Sequence, residues 1–313
     1  MAAPFEILFD VDRPESEIHD MADTAFELVE NLERQLSAYV GASDVCYINH
    51  TAAERPARIV PDLFELLETA RRLHDETEGA FDVTIGPLVR AWGFFRREGR
   101  MPDPDELAAA RERVGMEHVI LDDRAYTVRF AKPGIEINLG AIGKGYVIDR
   151  VVSQLREWGV RCALVHSGQS AIAGIGAPPN DDGWRVGVAD PRDPSKAFGA
   201  LLLVDSAMSV SGNWEQFFEL DGKRYCHILD PRTGRPARGI LSTTVTAASA
   251  AIADALSTAF FVMGVEQTRR YCETHEGVGA VIIAGDSPQN LAIHTFGCKM
   301  IAEPELNEDP QNV

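Results

Sequence analysis

The sequence predicts an α+β fold in which mixed or antiparallel β-sheets carry helices packed against them. Strand candidates crowd the middle and the later part of the chain instead of alternating with helices, and turn-forming residues join many of them into hairpins. Amphipathic helices are concentrated near the N-terminus. The chain has 313 residues, of which 45% are hydrophobic, so it can bury a large core as one domain or as two halves.

Amphipathic helices are predicted where apolar residues recur at helical spacing. Residues 15–40 show this spacing, and residues 61–78 and 104–114 each begin with a proline, which suits a first helical turn. A hairpin is predicted over 119–128, where a polar run forms the turn. The remaining strand candidates follow in chain order: 163–166, 171–175, 184–188, 201–204, 241–246, 278–283 and 291–294.

Composition limits the domain organisation and the partners. No linker is long enough to separate domains, so we expect a single domain over 1–302, with room for two subdomains, and an acidic flexible tail over 303–313. The formal net charge of −18 argues against nucleic acid and anionic membranes as partners. No apolar run is long enough to span a bilayer. Five scattered cysteines without a C-x-x-C pair are expected to be reduced packing residues.

Polar side chains are concentrated where a predicted hairpin over 217–228 ends. An Asp-Gly pair gives this hairpin a strong turn signal, and His227, Asp230 and Thr233 follow in a turn-rich run. A rigid junction of this kind can hold a reactive group in place. Turn formation alone would explain each residue singly, but we interpret the three together as part of a functional site.

A helix over 250–264 is apolar almost all round and should be buried, with a glycine at its end. Asp254 is its only ionisable residue, and a buried carboxylate needs a cation or a set of donors. Thr258 lies one turn further along the same face, beside Ser257, and these oxygen groups suit Mg²⁺. The alternative is that Asp254 caps a neighbouring loop or pairs with an arginine.

Two further segments are suited to binding a cofactor. A predicted strand over 135–139 runs into a glycine-rich turn and a helix, an order that offers backbone N–H groups to phosphate, and Lys144 adds a positive charge. The spacing matches neither the dinucleotide-binding nor the P-loop fingerprint, and the glycines could simply allow close packing. Residues 79–94 form either a wall for a flat ring or a core loop in which Trp92 fills space.

Together these segments resemble the ApbE-type FAD:protein FMN transferase family, formerly called thiamine biosynthesis lipoprotein ApbE. The resemblance covers most of the chain, and several long motifs in the family's order are far more specific than any one of them. In this sequence the motifs read Phe81-Asp82-x-Thr84-x-Gly86-Pro87-Leu88-Val89 with Trp92-Gly93-Phe94, Gly140-Ala141-Ile142-Gly143-Lys144-Gly145-Tyr146 with Asp149, Ser211-Gly212, His227-Ile228-x-Asp230-Pro231-x-Thr233-Gly234 and Ala253-Asp254-Ala255-x-x-Thr258.

The resemblance implies an ApbE-like fold and an enzyme that binds FAD and Mg²⁺, joins FMN to a Thr or Ser hydroxyl of a target flavoprotein, and releases AMP. It implies Mg²⁺ ligands at Asp254, Thr258 and the carbonyl oxygens of Ala141 and Ser257. His227 would take the proton from the incoming hydroxyl. The implied contacts with FAD come from a further set of residues: Tyr39, Ala80, Phe81, Asp82, Asn138, Lys144 and Ile228.

Two positions depart from the family pattern. Asn138 stands where the family usually has Asp, and Gln169 lies in the run that replaces a usual Gly-Gly-Asp sequence. These amides motivate the alternative of an FAD-binding protein without catalytic activity. A pyrophosphatase that gives FMN and AMP is a second alternative, because it needs the same metal and phosphate contacts. Many relatives are exported or lipid-anchored, whereas this sequence shows no signal peptide and predicts a cytoplasmic protein unless its natural start lies upstream.

Overall fold

The computed structural model describes residues 4–302 apart from residues 10, 169, 288 and 289. In that part of the chain the helices are α1 (Glu15–Leu36), α2 (Asp44–Thr51), α3 (Pro61–Glu76), α4 (Gly86–Ala91), α5 (Pro104–Arg111), α6 (Gly143–Glu157) and α7 (Ala250–Thr274). The first strands are β1 (Phe5–Phe9), β2 (Ala57–Arg58), β3 (Val119–Asp122), β4 (Thr127–Phe130), β5 (Ala163–Ser167), β6 (Ala171–Ile175), β7 (Trp184–Asp190) and β8 (Asp193–Leu203). The later strands are β9 (Ala207–Gly212), β10 (Phe217–Leu220), β11 (Lys223–Cys226), β12 (Leu229–Asp230), β13 (Arg235–Pro236), β14 (Ile240–Ala247), β15 (Gly279–Ser287), β16 (Asn290–Phe296) and β17 (Ile301–Ala302). The predicted α+β fold is confirmed.

The described residues form two compact units. The sheet unit comprises the described parts of Met1–Asn31, Gly143–Gly212 and Gly239–Val313, and the helix-rich unit comprises Leu32–Ile142 and Asn213–Arg238. The predicted tail over 303–313 and the departure at Gln169 lie outside the described residues. The expectation of one domain over 1–302, with room for two subdomains, stays a prediction.

An antiparallel seven-stranded sheet forms the centre of the sheet unit, in the order β1-β5-β6-β9-β14-β15-β16. Helices α6 and α7 pack against this sheet and against each other. Leu256 and Phe260 of α7 are completely buried, which explains why this helix is apolar nearly all round. A three-stranded sheet, β17-β8-β7, shares a second core in which Val188 and Val281 are buried.

Trp92 lies in the core of the helix-rich unit. It packs with Leu88, Ala110 and Leu229, and its ring N–H donates a hydrogen bond of 2.8 Å to the carbonyl oxygen of Gly234. Residues 79–94 were interpreted either as a wall for a flat ring or as a core loop. Trp92 agrees with the second interpretation, because it fills space in the core. Strands β3 and β4 form the hairpin predicted over 119–128, and β2 adds to its edge.

The hairpin β10–β11 confirms the Asp-Gly turn signal. Its two turn residues, Asp221 and Gly222, have φ angles of 50° and 71°. Positive φ at both central positions gives the turn a twist that matches the strands on either side. The hairpin ends at Cys226, so the chain leaves the strand at His227 as predicted.

Two predicted elements differ from the structure. Residues 135–139 form no strand, because only Glu136 makes an isolated parallel bridge, with Ile85, and other groups take the neighbouring backbone hydrogen bonds. The helix predicted over 250–264 continues to Thr274 past a break at Gly264, where φ is 74°. The sequence analysis did not identify β1, β9, α2 or α4. No helix in the described part of the chain combines the length and the apolarity needed to cross a membrane.

Candidate active site

The carboxylate of Asp254 is buried in the sheet unit, where the residue is only 3% exposed. The backbone N–H of Gly145 donates to its Oδ2 at 3.1 Å, and the hydroxyl of Ser209 donates to its Oδ1 at 3.2 Å. Asp254 therefore caps the first turn of α6, so one of the predicted alternatives is realised in part. The described residues place no basic side chain in an ion pair with Asp254. Its negative charge thus fits a bound cation.

Hydroxyl groups on α7 and on the facing strand β9 are linked by hydrogen bonds. The Oγ of Ser211 lies 2.8 Å from the Oγ of Ser257 and 3.3 Å from the Oγ1 of Thr258. The hydroxyl of Ser257 donates to the carbonyl oxygen of Asp254 at 2.9 Å, and the hydroxyl of Thr243 donates to the carbonyl oxygen of Ser257 at 2.6 Å. The structure therefore brings the three predicted ligands of α7 together in one hydrogen-bonded cluster.

The sequence analysis missed the residues that face α7 in this cluster. Ser209 and Ser211 lie on β9, and Thr243 lies on β14. The two serines are two positions apart, so they share one face of the strand. That alternation within 207–212 was the available signal, but it required β9 to be identified first.

Asp149 on α6 fixes the start of α7. Its carboxylate accepts hydrogen bonds from the hydroxyl of Ser249 at 2.6 Å and from the backbone N–H groups of Ala250 and Ala251 at 2.7 and 2.9 Å. Burial raises the pKa of Asp149 above its ordinary value against the effect of these bonds, and the charge of Asp254 adds to the rise. The first turn of α7 is therefore capped by a residue of another helix.

The glycine-rich start of α6 packs closely against α7. A Cβ atom at Gly145 would lie 2.0 Å from the carbonyl oxygen of Ala250, so only glycine allows this approach. The interpretation of these glycines as packing residues is thus correct for Gly145, although its neighbour is α7 and not a strand. Lys144 lies half-buried in the same turn.

Asp82 is buried in the helix-rich unit, and its carboxylate has local partners. Its Oδ1 accepts hydrogen bonds from the N–H and the hydroxyl of Thr84 at 2.7 and 2.6 Å, and its Oδ2 lies 3.2 Å from Nδ1 of His74. Burial alone would lower the pKa of His74, but the hydrogen bond and charge of Asp82 raise it above its ordinary value. The side chains of Ala80 and Phe81 are buried as well. A ligand that binds at residues 80–82 would therefore contact mainly their backbone.

A cavity of about 710 Å³ borders this run within the helix-rich unit. Its lining combines acidic and basic side chains, including Asp82, Glu112, His74, Arg111, Lys132 and Arg232.

Asn138 lies beside the same run. Its backbone N–H donates to the carbonyl oxygen of Val83 at 2.7 Å, and its Oδ1 accepts a hydrogen bond of 2.9 Å from the N–H of Gly140. Asn49 binds both backbone groups of Ile137, at 2.9 Å through Nδ2 and at 2.7 Å through Oδ1. Asn49 was missed by the sequence analysis, because it lies 88 positions away and belongs to no motif.

His227 is held by the backbone at the end of β11. Its N–H donates to the carbonyl oxygen of Gln216 at 2.9 Å, and its ring Nδ1 lies 3.1 Å from that same oxygen. The carbonyl oxygen of the next residue, Ile228, accepts a hydrogen bond from Ala237. Both the side chain and the backbone are therefore constrained on this segment.

Asp230 takes part in the turn that follows. Its Oδ1 accepts hydrogen bonds from the backbone N–H and the Nε of Arg232, each at 2.9 Å. Its carbonyl oxygen accepts from the N–H of Thr233 at 3.2 Å. The hydroxyl of Thr233 accepts a hydrogen bond of 3.3 Å from the N–H of Arg235 in the same turn. Turn formation thus accounts for Asp230 and Thr233, which leaves His227 as the reactive candidate of the predicted trio.

The predicted residues are divided between the two units. Asp254, Ser257 and Thr258 lie on α7 in the sheet unit, which also contains Lys144. The helix-rich unit contains the others: Tyr39, Ala80, Phe81, Asp82, Asn138, Ala141, His227 and Ile228. Within the described residues no three His, Cys, Asp or Glu side chains are grouped to hold a metal. A cation at Asp254 would therefore depend on one carboxylate together with hydroxyl and carbonyl oxygens.

Comparison with known proteins agrees with the motifs. The model of the ApbE family matches residues 1–282 of this chain. The chain belongs to the ApbE family. The resemblance stated from the motifs is therefore confirmed, and it extends over most of the sequence.

Similar proteins match this chain over most of its length. The FAD:protein FMN transferase of Klebsiella pneumoniae (strain 342) is 32% identical over 283 residues, which are 87% of each chain. That of Escherichia coli (strain K12) is 30% identical over 301 residues, or 90% of this chain and 84% of the relative. The crystal structure of the ApbE protein from Thermotoga maritima has a TM-score of 0.84 at 30% identity and covers 98% of this chain and 96% of its own. The flavin transferase ApbE from Vibrio cholerae has a TM-score of 0.83 at 28% identity, with 95% and 94% covered.

Proposed function

We propose that this chain is a Mg²⁺-dependent FAD:protein FMN transferase, which joins FMN to a Ser or Thr hydroxyl of a target flavoprotein and releases AMP. Family membership supports the reaction type, since the similar proteins are named FAD:protein FMN transferases. The observation that carries the proposal is the buried carboxylate of Asp254, whose described hydrogen-bond partners are neutral donors. Such a carboxylate suits a cation far better than an apolar core.

Asp254 and Thr258 are the proposed side-chain ligands of the ion. Ser211 supports this assignment, because its hydroxyl lies within hydrogen-bond distance of Thr258 and orients the latter's Oγ1. The carbonyl oxygens of Ser257 and Ala141 stay predicted further ligands. When bound, the ion neutralises negative charge on the phosphate groups, which is the main requirement of phosphoryl transfer. Lys144 adds a positive charge for the cofactor.

His227 is the proposed proton acceptor. A carbonyl oxygen can only accept, so the contact with Gln216 places the hydrogen on Nδ1 and gives the neutral ring its lone pair on Nε2. The acceptor hydroxyl would pass its proton to Nε2 while its oxygen bonds to the phosphorus of FMN. The bond between that phosphorus and the bridging oxygen breaks, and AMP leaves with the oxygen.

The test is an incubation of the purified chain with FAD, with and without Mg²⁺, and with an acceptor peptide that carries a Ser or Thr flavinylation motif. Chromatography then resolves FAD, FMN, AMP and the flavin-bearing peptide. We expect AMP and flavinylated peptide only when Mg²⁺ and peptide are both present. AMP with free FMN and an unmodified peptide would instead identify a pyrophosphatase, and intact FAD in every tube would identify an FAD-binding protein.

Variants of histidine test the proton acceptor in the same assay. His227→Ala should lose transfer and retain FAD binding, because the ring acts on the acceptor hydroxyl. His19→Ala is the matched control, since His19 lies on the exposed surface of α1. Transfer at the wild-type rate in His227→Ala would remove the assigned role.

A further inference from the structure

An exposed aromatic ring of the helix-rich unit stacks on one described aromatic neighbour. Tyr39 follows α1 and is 60% exposed, so a large part of this residue is open to solvent. The ring of Phe95 stacks on it, with a distance of 4.5 Å between the ring centroids and an angle of 27° between the planes. Offset stacking of this kind fixes the orientation of a side chain that water alone would leave to rotate.

The second face of Phe95 is covered by a cation. The guanidinium carbon of Arg90 lies 3.7 Å from the centroid of the Phe95 ring. Two carboxylate oxygens of Glu136 accept hydrogen bonds from Nε of Arg90 at 2.8 and 2.7 Å. Tyr39, Phe95, Arg90 and Glu136 therefore form a stack in which each member orients the next, and we call it the aromatic ladder.

The base of the aromatic ladder is anchored in the backbone. The carbonyl oxygen of Glu136 accepts a hydrogen bond of 3.2 Å from the N–H of Gly86, and a Cβ atom at Gly86 would lie 2.6 Å from that oxygen. Two residues further on, Asn138 donates to the carbonyl oxygen of Val83. The ladder is thus fixed to the two segments that carry the predicted FAD contacts at Asp82 and Asn138.

We propose that Phe95 and Arg90 are positioning residues, which hold the ring of Tyr39 in one plane so that its open face stacks on the isoalloxazine ring of FAD. The proposal rests on the proposed function, because Tyr39 is a flavin contact only if the chain binds FAD. A ring held in its binding orientation loses less freedom when the ligand arrives, so a fixed ring binds more tightly than a mobile one. Neither Phe95 nor Arg90 is required to touch the flavin.

The test is a titration of the full chain with FAD in the absence of metal, followed by flavin fluorescence and by the flavin absorption spectrum. Phe95→Leu should raise the dissociation constant of FAD by a factor of about 3 to 10, as expected for the loss of one aromatic pair. It should also reduce the quenching of the bound flavin, because the tyrosine ring no longer stays in contact. Arg90→Met should weaken binding by a smaller factor of about 2 to 4.

Matched controls separate the ladder from general effects. Phe26→Leu removes an equally sized, partly exposed aromatic ring from α1, and Arg224→Met removes the guanidinium that covers Phe217 in the hairpin β10–β11. Both controls should bind FAD as the wild type does. Melting curves of all variants without FAD check that they are folded, and Arg90→Met keeps the test valid if Phe95→Leu is unstable.

A double-mutant cycle distinguishes the possible failures. Tyr39→Leu should weaken binding, and adding Phe95→Leu to it should have little further effect, because Phe95 acts through Tyr39. Additive losses, or tighter binding in Phe95→Leu because the flavin takes the place of that ring, would overturn the proposal. If the wild-type chain does not bind FAD, the proposed function fails. If Tyr39→Leu weakens binding and Phe95→Leu does not, only the ladder fails.

Discussion

The hydroxyl cluster formed by α7 and β9 and the aromatic ladder differ in their exposure to water and in the interactions that orient their side chains. The cluster buries a carboxylate and several hydroxyl groups, and each of these groups needs a hydrogen-bond partner because water is excluded. The ladder instead leaves a large ring in water and fixes its orientation by stacking. Substitutions in the cluster should therefore change stability and metal binding together, whereas substitutions in the ladder should act mainly on the affinity for the cofactor.

The difference also concerns distance along the chain. Asp254 and Thr258 are one helical turn apart, so their proximity follows from the helix itself. The ladder joins residues from three separate segments of the helix-rich unit, around residues 39, 90–95 and 136. Helical spacing thus brings two residues of the buried cluster together, whereas its contacts with Ser209 and Ser211 come from packing between distant segments, as the contacts of the ladder do.

The largest effect is expected for the loss of the buried carboxylate. Asp254→Ala should weaken Mg²⁺ binding by more than about 100-fold, since the loss of an outer hydrogen-bond partner alone reduces metal affinity by about 10- to 100-fold. Isothermal titration of the FAD-bound chain with Mg²⁺ measures the change. Asp123→Ala, in the exposed turn between β3 and β4, is the control. Wild-type affinity in Asp254→Ala would refute the metal assignment.

A loss of stability is expected when the contact between α6 and α7 is disturbed. In Gly145→Ala the new methyl group would meet the carbonyl oxygen of Ala250, and overpacking of this kind is destabilising by about 1–3 kcal/mol. Chemical denaturation measures the free energy of unfolding. Gly41→Ala has no neighbour within 4 Å of the added atom and should change the free energy by no more than about 0.5 kcal/mol. Equal effects of the two substitutions would contradict the proposed close packing.

Substitution of Asn49 tests whether its hydrogen bonds with Ile137 hold the backbone next to Asn138 in place. Asn49→Ala leaves the buried N–H and C=O groups of Ile137 without these partners, which should lower the free energy of unfolding by about 1–2 kcal/mol and weaken FAD binding. Asn49→Asp keeps the acceptor but puts a charged oxygen opposite the carbonyl oxygen of Ile137, so its effect on both measurements should be at least as large. An Asn49→Ala chain with wild-type FAD affinity would show that this clamp does not support the cofactor site.

The smallest effect concerns the pH dependence of His74. Because the pKa of His74 is raised in the folded state, its contact with Asp82 stabilises the chain fully below the ordinary value of 6.5, and this contribution is lost as the pH rises through the raised value. Melting temperatures of the wild type and His74→Gln should differ most below pH 6.5 and converge at higher pH. His19→Gln is an exposed control that should show no such trend. A difference that grows with pH would contradict the assigned ion pair.

Sequence reasoning found the candidate site residues of α7 more readily than the residues that surround them. The helical spacing of Asp254 and Thr258 was visible, but Ser209 and Ser211 were not, because their strand lies far away in sequence and was not recognised. The alternating apolar residues of 135–139 resemble a strand, yet the side chain of Asn49 takes the place of a strand partner at Ile137. A side chain that replaces a backbone partner leaves no periodic signal in the sequence.

Gly264 and the aromatic ladder also show what the sequence alone does not predict. Gly264 was expected to end the helix, and it does break it, but a new helical segment begins at once. Phe95 and Arg90 belong to no motif, and the stacking of Phe95 on Tyr39 depends on the packing of the helix-rich unit. The fold class and the family were therefore predictable, whereas the contacts that orient each side chain required the structure.

The hydrogen bond between Trp92 and Gly234 has a consequence for the synthesis of the chain. Trp92 leaves the ribosome 142 residues before Gly234, and the helix-rich unit is completed only by Asn213–Arg238. The sheet unit is interrupted in the same way, since its last segment follows Arg238. A nascent chain that stalls before residue 213 would expose Trp92 to chaperones and proteases. Neither unit can be finished on the ribosome before most of the other has been made.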